Sequence, residues 1–200
     1  MQIQRLIVLG IIVFTIAQAV GSILQSFEIF RAKKANSVSV SWFAYYVGLC
    51  LAQIDYGYWR DDEIILYNAY VLAICQIPIL VGLWKYKTWF VRDWFVITIS
   101  IVGVIITFSS PGKQVWFTIF GAIILVSANM QSLELWTSGR GQVDPRLLTI
   151  YLLSSLLWGF YAFWRRIPVL MWLNPAYSTI TMVNITLWIY DRPQRLCRRT

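Results

Sequence analysis

Asn68 and Asn174 each lie about six residues into a long apolar run, and each follows by sixteen positions a residue of a different kind, Ala52 before Asn68 and Trp158 before Asn174. A carboxamide carries two donors and two acceptors, enough to grip neighbouring hydroxyls, and an indole offers a flat apolar face with one N–H to place. Two amides with a single indole suit a small neutral polyhydroxylated solute, stacked on one side only because Ala52 stands where the first half would need a ring. A monosaccharide is of that size. Ala52 and Trp158 lie about thirteen residues into their runs, roughly 20 Å from one membrane edge, and the asparagines lie roughly 9 Å from the other. In a hydrocarbon core of about 30 Å all four fall at one level, somewhat outside the midplane. The competing reading makes the asparagines interhelical hydrogen-bonding groups and Trp158 a packing residue.

Charged residues are few and unevenly placed. Asp61, Asp62 and Glu63 follow Arg60 in one short turn, and Arg165 and Arg166 occupy the matching turn of the second half. Opposite charges on one side of the membrane predict an outer gate closed by ion pairs; the plainer alternative is a surface bridge worth under about 1 kcal/mol. Glu28 and Glu134 sit one turn inside the opposite ends of two other runs, close to Gln25 and Gln131. They are either proton sites or partners of Arg31, Lys34 and Arg140. Asp55, beside Tyr56 and Tyr58, is placed to line an outer mouth. There is no histidine, and Cys50, Cys75 and Cys197 form neither a metal spacing nor a disulfide framework. No metal, no cofactor and no catalytic constellation is expected, so an enzyme is the least favoured class.

The elements that must carry these residues are membrane helices. The chain is 58% apolar and 13% charged, with a mean hydropathy of +0.62, which leaves too little polar surface for a soluble domain of 200 residues. Apolar runs at about 5–30, 39–59, 64–84, 90–109, 114–136, 147–164 and 168–190 each approach the ~20 residues of a membrane span. The first is too long for a signal-peptide core. Most tryptophans stand at run ends, as in an interfacial belt. With the N-terminus outside, basic residues concentrate in the inner segments (Arg31, Lys33, Lys34; Lys85, Lys87, Arg92; Arg140, Arg146; Arg192, Arg195, Arg198, Arg199), which predicts a cytoplasmic C-terminus, with the plasma membrane as the expected location. The net charge of +8 is thus topological; nucleic-acid binding would need a contiguous basic face on a folded module. The lipid bilayer and a small solute are the expected partners, and a homo-oligomer stays open.

A shift of 106 residues lays the chain on itself without a gap: Gln25, Ser26 and Glu28 fall on Gln131, Ser132 and Glu134, Arg60 falls on Arg166 and Asn68 on Asn174. Overall identity is low, but polar residues are scarce in lipid, so their coincidence argues for duplication. Three spans per copy is an odd number, and the unpaired run at 90–109 would invert the second copy's entry. The expected architecture is an all-α integral membrane protein of seven transmembrane helices. Residues 1–88 form a first three-helix bundle, 89–110 an inversion linker helix, and 111–200 a second, parallel bundle with a short basic tail. The solute site would lie between the copies.

A glutamine near the end of the first helix of each triple, a short basic loop and a second helix resemble the PQ-loop superfamily. The sixteen-residue spacing of Trp158 to Asn174 and of Ala52 to Asn68 is similar to the binding pattern of SWEET and SemiSWEET sugar transporters. The resemblance covers about 5–190 and implies facilitative, alternating-access transport of a sugar. It also implies inner hinges at Leu24-Gln25 and Met130-Gln131, where the family's proline is replaced by Leu24 and Met130; Gly21 and Gly48 are candidate substitutes. Other PQ-loop-like proteins imply the alternative, a proton-coupled exporter of amino acids or another small polar solute.

Overall fold

A computed structural model describes residues 2–35, 40–138 and 145–197, with side chains described except at 41, 42, 92, 124, 127–138, 145–147, 188 and 190–197. Among the described residues the chain is entirely helical: α1 (Gln2–Ala32), α2 (Val40–Arg60), α3 (Glu63–Tyr86), α4 (Val91–Ser109), α5 (Lys113–Ser138), α6 (Pro145–Arg165) and α7 (Pro168–Cys197). These are the seven apolar runs. The shortest, α4, has 19 residues and reaches about 28 Å, enough to cross a hydrocarbon core. By length and composition together, α1 and α3 are the described helices that qualify as membrane spans. Pro145 and Pro168 open α6 and α7, where a missing N–H costs nothing.

The helix α1 is built inside out. Ile3, Leu6, Leu9, Val13, Ile16, Val20 and Phe27 are exposed, while Thr15, Gln18, Ser22 and Ser26 are buried. In water this pattern would waste apolar burial and desolvate hydroxyls; in lipid it is the favourable one, because polar groups must find partners inside the protein.

The chain forms two compact units, one of residues 15–124 and one of residues 1–14 with 125–200. These are units of contact and divide α1 and α5, whereas 1–88 and 111–200 are the bundles expected from sequence repetition. In the first unit α2 packs on both α3 and α4. Gly48 on α2 allows the approach of α4, and Gly48 and Gly103 both leave room for the Phe120 ring of α5. A Cβ at Gly48 would lie 2.7 Å from Ser100 Oγ and 2.8 Å from the Phe120 ring, and one at Gly103 only 2.6 Å from that ring. Gly48 thus sits in close packing, the commoner role of a glycine in a membrane helix. Ile29, Phe43, Ile79 and Leu83 close the other end of this unit. In the second unit α6 and α7 form the principal contact.

Two outer turns fix how the repeats correspond. After α2, Asp62 N–H donates to Gly57 O (3.0 Å) and Asp61 N–H to Tyr58 O (3.3 Å), with Asp61 at φ 53°. After α6, Ile167 N–H donates to Ala162 O (2.9 Å) and Arg166 N–H to Phe163 O (3.4 Å), with Arg166 also at φ 53°. Both are Schellman turns with a left-handed residue at the same place. Equivalent residues here differ by 105 (Asp62 to Ile167), not 106. Burial follows the same register: Ile65, Asn68, Gln76 and Ile79 are buried, and so are Leu170, Leu173, Thr181 and Asn184. By contrast α1 and α5 end 106 apart, at Ala32 and Ser138, while α2 and α6 begin 105 apart, at Val40 and Pro145. The gapless register expected from the sequence is thus corrected. The second copy is one residue shorter in its inner loop, and beyond that loop Tyr56-Gly57-Tyr58-Trp59-Arg60 corresponds to Tyr161-Ala162-Phe163-Trp164-Arg165.

Candidate solute-binding site

In the unit of residues 15–124, Asn68 stands on the second turn of α3 and is 4% exposed. The Thr15 hydroxyl on α1 donates to its Oδ1 at 2.8 Å. That bond fixes the orientation of the amide, and its Nδ2 hydrogens have no partner among the described residues. A second bridge of the same helices lies deeper, where Gln76 Nε2 donates to Ser22 Oγ at 2.9 Å while Ser22 donates to Gln18 O. Gln76 Oε1 is buried with no partner among the described residues. Ala52 is fully buried and presents no side-chain surface to a solute.

In the other unit, Asn174 is half-buried, and its Nδ2 donates to Leu170 O one turn back at 2.9 Å. Pro175 follows and supplies no N–H to the ladder of α7. The polarity is opposite to that of Asn68: here the carboxamide oxygen is the atom without a partner among the described residues. The backbone of α6 passes close by at Gly159, whose Cβ would stand 3.8 Å from Asn174 Cβ. Trp158 is 7% exposed and meets Tyr161 edge-on, with ring centroids 5.4 Å apart; Tyr161 in turn meets Trp164 at 5.7 Å. Ser155 and Ser178 join α6 to α7 at 2.6 Å.

By the outer-turn register Asn68 corresponds to Leu173, and Asn174 to Ala69. The two asparagines, expected to be equivalent, are therefore one residue out of phase, about 100° around the helix and 1.5 Å along it.

The turn charges separate into distinct roles. Asp62 is 2% exposed and caps α3, its Oδ1 accepting from Ile65 N–H at 3.2 Å, so this member of the expected outer gate is occupied locally. Asp61, Glu63, Arg165 and Arg166 are exposed. Lys113, at the start of α5, places Nζ 2.9 Å from Asp55 Oδ2 and donates to Thr107 O (3.0 Å) and Phe108 O (2.9 Å). Asp55 Oδ2 receives no aligned hydrogen bond, so the geometry is a charge contact across a donor aimed at the carbonyls that end α4. Asp55, expected to line an entry, is thus tied to a lysine. At the other end of α1, Leu24 and Glu28 are exposed and Gln25 is half-buried. Met130, Gln131 and Glu134 belong to α5, with side chains outside the described residues.

Thr15 and Lys113 were not singled out by the sequence. Thr15 reads as an ordinary span residue, and only its distance to Asn68 reveals it. The Tyr-x-x-Trp-Arg recurrence was legible, but only to a comparison that tries more than one shift.

A chain of this architecture has a solved counterpart. The structure aligns with that of a eukaryotic SWEET transporter at a TM-score of 0.72 and 14% identity, covering 95% of this chain and 97% of the other. This is the SWEET fold. No protein-family model matches the chain, and no curated protein matches it either. The SWEET fold accounts for seven helices in the observed order, including the unpaired α4.

Proposed function

We propose that the chain is a membrane transporter that moves a small sugar, of monosaccharide size, down its gradient by alternating access. The observation that carries this reading is the SWEET fold over nearly the whole chain, and the inside-out burial of α1 agrees with a bilayer. Asn68, with donors unengaged, and Asn174, with an acceptor unengaged, are the solute-binding amides. A sugar hydroxyl both donates and accepts, so it can bond an amide of either polarity. Trp158 supplies the apolar face.

Uniport is favoured over proton coupling because the half-buried carboxylate of Asp55 is already paired with Lys113, and Glu28 is exposed beside the basic end of α1. Asp61 and Glu63 with Arg165 and Arg166 form the outer gate, while Asp62 acts as the cap of α3. The inner ends of α1 and α5, at Leu24, Gln25 and Glu28 and at Met130, Gln131 and Glu134, are the opposite gate. The basic segments favour a cytoplasmic C-terminus. Uptake of radiolabelled monosaccharides into proteoliposomes tests the reading. Saturable uptake of at least one sugar is expected, and uptake of none would remove it.

A further inference from the structure

Three indoles meet at the corner where α3 turns into α4. Trp84 lies 5.3 Å from Trp89 and 5.6 Å from Trp94, and those two lie 5.2 Å apart, centroid to centroid. Trp89 Nε1 also donates back to Trp84 O at 3.4 Å. Rings packed this closely ordinarily belong to a core, yet Trp84 is 63% exposed and Trp94 47%. Two apolar stripes run into the trio. On α3, Ile74, Ile77, Val81 and Trp84 are exposed at i, i+3, i+7 and i+10; on α4, Val91, Phe95, Ile99 and Val102 are exposed at i, i+4, i+8 and i+11. Each set is one face of its helix, and because Trp84 meets Trp94 the two faces end side by side.

The polar end of this corner is basic. Residues 84–95 contain Lys85, Lys87 and Arg92 against a single acid, Asp93. Asp93 is buried, and its Oδ2 accepts from Phe90 N–H at 3.1 Å, so it is turned inward onto the start of α4. Lys85 is exposed, with Nζ 5.4 Å over the Tyr86 ring, a contact that holds the ammonium close to the protein surface. Apolar faces that end in packed indoles and then in ammonium groups follow the polarity of a phospholipid, from acyl chain through the carbonyl region to phosphate. Topological charge alone requires lysines but no packed indoles, and an aromatic belt alone requires indoles but no local excess of positive charge.

We infer that this corner holds an anionic phospholipid, its phosphate on Lys85 and Lys87 and its acyl chains along the exposed faces of α3 and α4. The inference goes beyond the transporter reading and requires only a bilayer. A lipid so placed braces the joint between the third helix and α4.

The test uses the full-length chain in a neutral detergent, titrated with phosphatidylglycerol or with phosphatidylcholine of the same acyl chains, with retained lipid counted by native mass spectrometry. Phosphatidylglycerol should bind about tenfold more tightly than phosphatidylcholine. Lys85→Gln with Lys87→Gln should weaken its binding about thirtyfold, Lys85→Arg with Lys87→Arg should hold it, and Trp84→Leu should weaken the binding of both lipids. Lys33→Gln with Lys34→Gln removes an equal charge from the segment after α1 and should leave the affinity unchanged. Equal binding of the two lipids, or equal losses from both lysine pairs, overturns the inference. Displacement of the lipid by inorganic phosphate also overturns it, since the corner would then take free anions. A chain that keeps this lipid preference and carries no sugar would sustain the lipid site and sink the transporter reading alone.

Discussion

Replacing Thr15 by valine removes one hydroxyl and keeps the branched shape. The hydroxyl is almost fully buried, as is its acceptor Asn68, and the bond is 2.8 Å long. In a water-soluble core, stranding a buried carbonyl oxygen would cost about 1–3 kcal/mol. Between membrane helices, hydrogen-bonded pairs average nearer 0.6 kcal/mol and reach about 1.7, because the unfolded chain in lipid also finds partners. The near-complete burial of both residues favours the upper part of the membrane range, so about 1 kcal/mol is expected. Unfolding in detergent, titrated with a denaturing surfactant, should show that loss for Thr15→Val, little loss for Thr15→Ser, and a coupling energy of about 1 kcal/mol in the cycle with Asn68→Leu. Once the amide is free to rotate, solute affinity should fall in Thr15→Val as well. Additive losses in the cycle would refute the claim that Thr15 holds Asn68.

Gly103→Ala should destabilise the unit of residues 15–124 by about 1–3 kcal/mol, because the new methyl would meet the buried Phe120 ring at 2.6 Å; an unchanged melting temperature would show that this packing yields. Lys113→Met should cost about 2 kcal/mol by leaving Asp55, 13% exposed, without its counter-charge, and adding Asp55→Asn should recover most of it in the same assay. Asp62→Ala should lose about 1 kcal/mol of stability through the cap of α3 with uptake per folded molecule unchanged. Asp61→Asn with Glu63→Gln should instead alter uptake and leave stability intact, and the reverse pattern would reassign the turn.

Seven helices, their ends within a few residues and the repeat itself were legible because each depends on local apolar content and on proline and turn chemistry. The register was half legible. Gln25-Ser26 and Glu28 sit before the inner loop, where the shift of 106 holds; Asn68 and Asn174 share that spacing by coincidence of numbering, although the turn between them follows 105. Two polar matches in the wrong frame, Arg60 on Arg166 and Asn68 on Asn174, outweighed Tyr56, Trp59 and Arg60 in the right one. Asp62 read as a gate charge because a sequence does not reveal that an acid just before Glu63 will turn inward onto Ile65 N–H. Asp55 read as an entry residue because Lys113 is distant along the chain and reaches it only once α4 has folded back against α2.

The most direct measurement for the central claim is solute counterflow in proteoliposomes: vesicles loaded with unlabelled monosaccharide, diluted into labelled sugar, for the native chain and Asn174→Ala at pH 6 and pH 8. Alternating-access uniport predicts a transient overshoot that is similar at both pH values and strongly reduced by Asn174→Ala. An overshoot that follows the pH gradient, or none with any sugar the vesicles hold, would contradict it.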